Sequence, residues 1–239
     1  MKKFVTPTIV TLLFSTAVLS CTSAFAVTPV VPPAPGVGKD PITPNTAETP
    51  VSANLTINTN PVAPTVPSGN DGGADSPTNI NHILGIAYAP KQLSVDEMLN
   101  DAGQQKLALS NNNITKYNVG VQDKTRRNDQ QWTLKVKLSW SGTNANYMAG
   151  TSIEATNGNV KENTAGTLST LSDGQVTTNA QTLKISDTET SVMESVKGKT
   201  MNGVYNYQFE SPELVIPNVE NVPADTYTGT INWNLEHTP

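Results

Sequence analysis

The stretch that decides the fold reads Trp132-Thr133-Leu134-Lys135-Val136-Lys137-Leu138-Ser139-Trp140. Its apolar and polar side chains alternate, and residues of the same parity lie on one face of a β-strand. A second stretch near the end of the chain alternates in the same way and reads Tyr227-Thr228-Gly229-Thr230-Ile231-Asn232-Trp233-Asn234-Leu235. The pattern therefore predicts two strands, each of which turns the Trp and the Leu of a Trp-x-Leu motif toward the same side.

The alternation leaves open what these Trp and Leu side chains contact. A row of Trp and aliphatic residues is typical of a strand in a sandwich core, because such a row is costly to expose to water. Sugar rings and peptides also stack on Trp, but a binding platform usually has polar neighbours on the same face. We therefore favour core packing over direct ligand contact for both motifs.

The remaining sequence indicates an all-β protein. Short alternating runs are separated by segments rich in Asn, Gly, Asp and Ser, which are common in turns. We expect a β-sandwich or partly closed barrel with one short helix, which the capping-box pattern Ser94-Val95-Asp96-Glu97 predicts. The expected strands are Val51–Ile57, Ile83–Tyr88, Ile114–Val121, Trp132–Trp140, Ser152–Ala155, Thr182–Ser186, Val204–Phe209, Glu213–Ile216 and Tyr227–Leu235.

The two ends of the chain predict export without a C-terminal anchor. Residues 1–26 resemble a signal peptide, with Lys2 and Lys3, an apolar run and the cleavage pattern Ala24-Phe25-Ala26. Cys21, the only cysteine, is an alternative lipid attachment point, although Leu19 fits poorly before it. No hydrophobic tail or basic stop-transfer cluster follows the second motif, so we expect neither a membrane anchor nor a sorting signal there. The mature chain is expected to have no transmembrane segment.

Three regions are predicted to follow one another. Residues 1–26 form the signal peptide, and residues 27–50 form a Pro-rich disordered linker whose composition offers too little apolar surface to fold. Residues 51–239 form a single domain, with a long Pro/Gly-rich loop at about 58–79.

The residue inventory argues against catalysis and against a cofactor or metal. Cleavage after Ala26 removes the only thiol, and the chain lacks the common hydrolase and phosphate-binding motifs. The acidic pair Asp187 and Glu189 is expected to be ordinary surface charge. Asp71 and Asp75 flank a Gly-rich stretch whose spacing misses the calcium-loop pattern, so we interpret it as a solvated loop. The net charge of −5 argues against nucleic acid as a partner.

A basic cluster precedes the first motif. Lys124, Arg126 and Arg127 fall in the predicted turn before Trp132. They are either a solvated hairpin tip or a patch that meets anionic wall polymer, since guanidinium groups suit phosphate and carboxylate. Asp123 is alternatively placed to pair with one of these arginines and order the turn.

The paired motifs resemble those of the WxL-domain surface proteins of Gram-positive bacteria. The resemblance rests on Val119-Gly120-Val121-Gln122-Asp123 with nearby arginines, on Trp132-Thr133-Leu134, and on the terminal Trp233-Asn234-Leu235. It covers residues from about 51 to 239, although Gln131 stands where family members often have Gly. It implies secretion to the cell wall or cell surface, non-covalent binding to peptidoglycan or an associated wall polymer, and assembly with WxL-interacting surface proteins.

Two functions are therefore weighed. The first is a non-catalytic protein attached to the wall through its WxL domain. The alternative is an interaction subunit of a multi-protein surface complex, retained chiefly by a membrane-anchored partner. The candidate binding residues are the two motifs and the two arginines: Trp132, Leu134, Trp233, Leu235, Arg126 and Arg127.

Overall fold

A computed structural model describes residues 46–109, 114–171 and 174–238 of the chain. The predicted signal peptide, Cys21 and most of the predicted linker lie outside these residues. The chain divides into two units, Met1–Ala53 and Asn54–Pro239. In the first unit, residues 46–53 are exposed and have neither helix nor strand. The second unit carries all the elements described below.

Two antiparallel sheets form the second unit, which confirms the all-β prediction and favours the sandwich over a barrel. The larger sheet has the order β1-β2-β4-β11-β6-β7, with β3 beside β11 and β9 beside β6. Its strands are β1 (Asp75–Pro77), β2 (Leu84–Pro90), β3 (Gln105–Ala108), β4 (Lys116–Asp123), β6 (Ser152–Thr164), β7 (Thr167–Thr170), β9 (Leu183–Ile185) and β11 (Gly203–Ile216).

The smaller sheet contains both Trp-x-Leu motifs and has the order β12-β5-β10-β8. Its strands are β5 (Gln131–Ser141), β8 (Val176–Thr177), β10 (Thr190–Ser195) and β12 (Thr228–Thr238). The first motif lies on β5 and the second on β12, as the alternation predicted. Within the described residues, two short 3-10 helices connect strands, at Ala145–Met148 and Val219–Asn221, and a third, Gly69–Asp71, precedes β1.

The main core lies between the two sheets. From β11, Tyr205, Tyr207 and Phe209 turn inward and are fully buried, in agreement with their two-residue alternation. Trp132 and Leu134 of β5 belong to the same buried cluster. Burying an aromatic side chain contributes roughly 2–3 kcal/mol, so each aromatic residue of this row stabilises the packing of the two sheets.

Three local predictions were wrong. Residues 94–99 form no helix; instead Leu93, Val95 and Leu99 pack against the core from an irregular segment. Tertiary burial of these side chains therefore overrides the capping-box signal. The stretch Val51–Ile57 joins no strand, and its side chains are exposed. The two strands predicted at 204–209 and 213–216 are one strand, β11, whose register shifts between Glu210 and Glu213.

The Pro/Gly-rich segment is more ordered than a solvated loop, because it covers the outer face of the larger sheet. Asn118 donates from its backbone N–H and its amide to the Asp75 carboxylate, at 2.9 and 2.8 Å. The Asp71 carbonyl accepts from the Asn118 amide at 2.6 Å and from the Gln208 amide at 3.2 Å. Lys116 lies 3.4 Å from the Asp71 carboxylate. The segment is thus held by a polar network, to which the buried Ala74 and the packing of Val66 on the Tyr88 cluster add apolar contacts.

A tyrosine extends this network across the sheet. Tyr88 is fully buried over Gly120, where an added Cβ would lie 2.2 Å from the phenol ring. Its hydroxyl donates to Asn206 at 2.9 Å and accepts from the Asn163 amide at 2.9 Å. Asn163 in turn donates to the Thr65 carbonyl at 2.9 Å, so the chain before Asp71 is tied down by the same network.

Burial raises the pKa of the Asp75 carboxyl from 3.8 to about 6, although its hydrogen bonds with Asn118 oppose the shift. A raised carboxyl pKa stabilises the fold below the unfolded value, and this contribution is lost as the pH rises through the folded value. The Asp75→Asn variant does not titrate. We therefore expect the free energy of unfolding of the native chain, relative to Asp75→Asn, to fall by up to about 3 kcal/mol between about pH 4 and about pH 7.5.

Urea denaturation of both proteins across this pH range measures the difference. Asp129→Asn is a suitable control, because the Asp129 carboxyl is exposed and its pKa is lowered by the Arg127 hydrogen bond. Parallel stability curves for the native chain and Asp75→Asn would contradict the expected titration.

Candidate functional site

The two Trp-x-Leu motifs lie side by side on antiparallel strands. In the register of β12 and β5, Leu235 is opposite Leu134, Trp233 is opposite Val136 and His237 is opposite Trp132. This pairing runs without a bulge from Thr228 to Thr238. Because the motifs run in opposite directions, their leucines meet and their tryptophans point to different parts of the same core face.

The two motifs differ in depth. Trp132 is 1% exposed and Leu134 is fully buried, whereas Trp233 and Leu235 are half-buried on the outermost strand of the sheet. The Trp132 ring lies 6.0 Å from the Tyr205 ring, between centroids, on the facing sheet. The Trp233 ring lies 6.4 Å from the Phe209 ring. The core packing predicted for the first motif is confirmed, and the second motif packs at the margin of that core.

A buried carboxylate connects the first motif to the preceding loop. Asp123 ends β4 and is fully buried. Its carboxylate accepts a hydrogen bond from the Trp132 indole N–H at 3.2 Å. The Gln130 side-chain NH₂ donates to both carboxylate oxygens, each at 3.0 Å. The carboxylate also accepts the Thr125 hydroxyl at 2.7 Å and the Thr125 backbone N–H at 3.1 Å. These donors offset the desolvation of the charge and fix both ends of residues 124–130.

We call these four residues, Asp123, Thr125, Gln130 and Trp132, the Asp123 network. Residues of neighbouring strands form further hydrogen bonds with it. The Trp132 backbone N–H donates to the Ser195 hydroxyl at 2.7 Å, and this hydroxyl donates back to the Trp132 carbonyl at 3.2 Å. His237 of β12 lies 3.1 Å from the Gln130 side-chain oxygen. The first motif is therefore joined to β4, β10 and β12 by polar contacts at its Trp132 end.

The predicted basic cluster projects from this network. Arg126 and Arg127 are exposed, and Lys124 is half-buried. Arg127 forms an ion pair with Asp129 at 3.0 Å. The Asp123 carboxylate, which was predicted as an alternative partner for an arginine, instead accepts hydrogen bonds from Thr125, Gln130 and Trp132. Within the described residues, no ion pair includes Arg126 or Lys124. Arg126 adopts a left-handed backbone with φ 53°, which turns the chain at the tip of the loop.

A second loop brings further positive charge to this end of the molecule. The Arg126 backbone N–H donates to the Met201 carbonyl at 2.8 Å, and the Gly198 N–H donates to the Gln130 carbonyl at 3.4 Å. The loop at 196–202 contains Lys197 and Lys199, which the sequence reasoning missed. Nothing local identifies them, because their proximity depends on the pairing of distant strands. We call the two loops, residues 124–130 and 196–202, the basic end.

The motif residues and the arginines are therefore near one another but not on one surface. Trp132 and Leu134 are inside, while Arg126 and Arg127 are on the loop that Trp132 helps to hold. Trp233 and Leu235 lie on β12, whose contact with this loop comes through His237. The candidate binding residues thus separate into an interior group and a solvent-facing group.

The outward face of the smaller sheet is polar. Lys135 lies 2.7 Å from the Glu236 carboxylate and 3.6 Å from that of Glu189. Asn232 donates to the Ser139 hydroxyl at 2.9 Å. Asp187 and Glu189, the acidic pair noted in the sequence, are both exposed, and Glu189 takes part in this charge cluster. Glu189 thus takes part in an ordinary surface ion pair, whereas the Asp187 carboxylate accepts a hydrogen bond from the Thr188 hydroxyl at 3.4 Å.

A shallow cavity of about 240 Å³ opens at the opposite end of β5. It is bordered by Trp140 and Thr151, and the Trp140 indole N–H donates to the Thr151 hydroxyl at 2.8 Å. Lys137 and Asp187 are its charged lining residues. In the described ranges, no group of three or more His, Cys, Asp or Glu side chains is placed to hold a metal ion. Nor does any helix of these ranges have the length and apolarity to cross a membrane.

Comparison with known proteins identifies one family. The sequence model of the family described as "WxL domain surface cell wall-binding" matches residues 15–239, which is nearly the whole chain. No curated protein matches the chain. No solved structure matches it either.

The two motif tryptophans differ in their contact with the Asp123 network, because Trp132 donates a hydrogen bond to Asp123 and Trp233 does not. Trp132→Phe removes an indole N–H that a buried carboxylate accepts, so we expect the free energy of unfolding to fall by about 1–3 kcal/mol. Trp233→Phe is the matched control, because the half-buried Trp233 ring packs on Phe209 and no hydrogen bond includes its indole within the described chain. We expect that variant to lose less than about 1 kcal/mol. Urea denaturation measures both, and equal losses would contradict this assignment.

Proposed function

The chain belongs to the WxL-domain family of surface cell wall-binding proteins, and from this premise we propose that its basic end attaches it non-covalently to anionic groups of the wall. Its place is the cell wall and cell surface. The proposal specifies peptidoglycan or an associated wall polymer as the ligand and a binding role without catalysis. The observation that carries it is the pairing of the two basic loops over the buried Asp123 network.

Charge distribution supports the basic end as the contact surface. The whole chain has a formal net charge of −5, so a cluster of cations on it is a local exception. Arg126 is exposed, and no ion pair with a described residue neutralises it. Guanidinium groups bind carboxylate and phosphate through paired hydrogen bonds, and both groups are chemically suited to this end.

The same arrangement suggests how the Trp-x-Leu motifs act in binding. Trp132 and Leu134 are too deeply buried to contact a polymer, so their proposed role is to position the loops that do. Trp132 does this through its indole N–H and its bonds with Ser195. Trp233 and Leu235 would act in the same sense by closing the margin of the core next to Phe209.

Further parts of the proposal rest on the sequence. Residues 1–26 would direct export as a signal peptide, and residues 51–239 would form the wall-binding domain. The source of the protein would be a Gram-positive bacterium. The alternative function, an interaction subunit retained by a membrane-anchored WxL-interacting partner, differs in one consequence. A purified chain should bind isolated walls under the first function, whereas under the alternative it needs the partner to be retained.

Reversing the charge of Arg126 should weaken wall binding. We expect Arg126→Glu to reduce affinity for purified walls by about tenfold, because the substitution replaces a cation with an anion that repels the anionic ligand. Lys91→Glu is the matched control, since Lys91 is also exposed. Leu84, at the start of β2, pairs with Asp123, whereas Lys91 follows the other end of β2 and so lies away from the basic end. Co-sedimentation with walls at low and high salt measures both variants.

Two wall preparations identify the anionic group. Walls stripped of phosphate polymers retain the peptide carboxylates, so unchanged binding indicates peptidoglycan and lost binding indicates the phosphate polymer. Failure of the native chain to sediment with either wall, or equal binding by Arg126→Glu and Lys91→Glu, would contradict the proposal.

A further inference from the structure

The outermost strand of the smaller sheet leaves one edge without a partner. β12 pairs with β5 through its whole length, and no backbone hydrogen bond joins its other edge to any described residue. β12 has 11 residues, whereas β8 at the opposite edge of the same sheet has 2. The end strands of the larger sheet are also short, with 3 residues in β1 and 4 in β7. β12 is therefore the long, continuous edge among the described strands.

This edge lacks the features that usually prevent pairing with another chain. Exposed edge strands are commonly protected by lysine, proline or a β-bulge. Thr228–Thr238 contains neither lysine nor proline, and its pairing with β5 shows no register shift. Its one acidic residue, Glu236, is neutralised by Lys135 at 2.7 Å. The unpaired N–H and C=O groups of β12 are thus accessible to a further strand.

The chain also contains a strand-like segment that has no strand partner. Val51-Ser52-Ala53-Asn54-Leu55-Thr56-Ile57 alternates apolar and polar residues, yet these residues lie in irregular backbone. Val51 and Leu55 are each 90% exposed, and Ile57 is 39% exposed. Large apolar side chains at this spacing are costly to leave in water and are typical of a strand that packs on one face.

We propose that Val51–Ile57 of one copy adds as a strand to the unpaired edge of β12 in a second copy. Such β-augmentation obtains affinity from main-chain hydrogen bonds and specificity from alternate side chains. The two patterns match, because β12 turns Ile231, Trp233 and Leu235 toward the core and Asn232 and Asn234 toward solvent. The apolar side chains of the added strand then extend the row formed by Ile231, Trp233 and Leu235.

Addition of this kind links copies to one another. When two copies exchange segments reciprocally the product is a closed dimer, and when they do not the contact is head-to-tail and produces open chains. Either product multiplies the basic ends in one assembly and would increase retention on a polymer that offers many binding sites. The strand addition itself does not require wall binding, so the two proposals are tested separately.

Sedimentation velocity of the purified secreted chain, from micromolar to submillimolar concentration, tests the association. We expect reversible self-association that Leu55→Lys weakens by at least about tenfold, because the substitution puts a charge in the apolar row of the added strand. Val62→Lys is the matched control, since Val62 is 84% exposed but lies outside the segment. It should associate as the native chain does.

Amide hydrogen exchange locates the contact. On association, the proposal requires slower exchange in residues 51–57 and 228–238 of the native chain, and unchanged exchange in the same residues of Leu55→Lys. A native chain that remains monomeric throughout would overturn the proposal. So would equal weakening by Leu55→Lys and Val62→Lys, or protection at other strands without protection of β12.

Discussion

The hydrogen bonds of the buried Asp123 carboxylate are the interaction on which the smaller sheet and the basic end both depend. A carboxylate removed from water is strongly destabilising unless several donors replace the solvent. Here Trp132, Gln130 and Thr125 supply them; Thr125 and Gln130 belong to the segment that leads from β4 to β5, and Trp132 lies at the start of β5. The need to satisfy one charge therefore determines the path of residues 124–130 and the orientation of the first motif tryptophan.

The Trp132 side chain consequently makes two kinds of contact. Its ring fills the core against Tyr205, while its indole N–H reaches the charge at the end of β4. Trp233 makes only the first kind of contact, through Phe209, and is half-buried. The repeated motif thus has unequal members, and the basic end depends more directly on the first of them. A second polar network, around Asn118 and Asp75, performs a comparable task on the outer face of the larger sheet.

The sequence predicted the features that depend on short-range alternation. β5 and β12 were predicted because their apolar residues recur at every second position, and the buried side of β11 was found by the same rule. β10 was missed because a register shift between Ser191 and Met193 breaks its alternation. The helix expected at Ser94 failed because Val95 and Leu99 gain more from packing on the core than from a local helical turn.

The candidate site was predicted in part, for a related reason. Arg126, Arg127 and Asp123 are close in sequence, so their common turn was visible without a structure. Lys197 and Lys199 join them only because the 196–202 loop bonds Arg126 and Gln130, a contact that no local pattern encodes. The segment 58–79 was interpreted as a solvated loop because its composition is poor in apolar residues. The hydrogen bonds of Asn118 and Gln208, which hold it, come from strands much later in the chain.

We infer that the Asp123 carboxylate holds the basic end in place. Amide hydrogen exchange in Asp123→Asn, which keeps the size of the side chain but removes its charge, tests this claim most directly. We expect faster exchange in residues 124–130 than in the native chain, with unchanged exchange in residues 143–151 at the other end of β5. Equal exchange of residues 124–130 in the two proteins would contradict it.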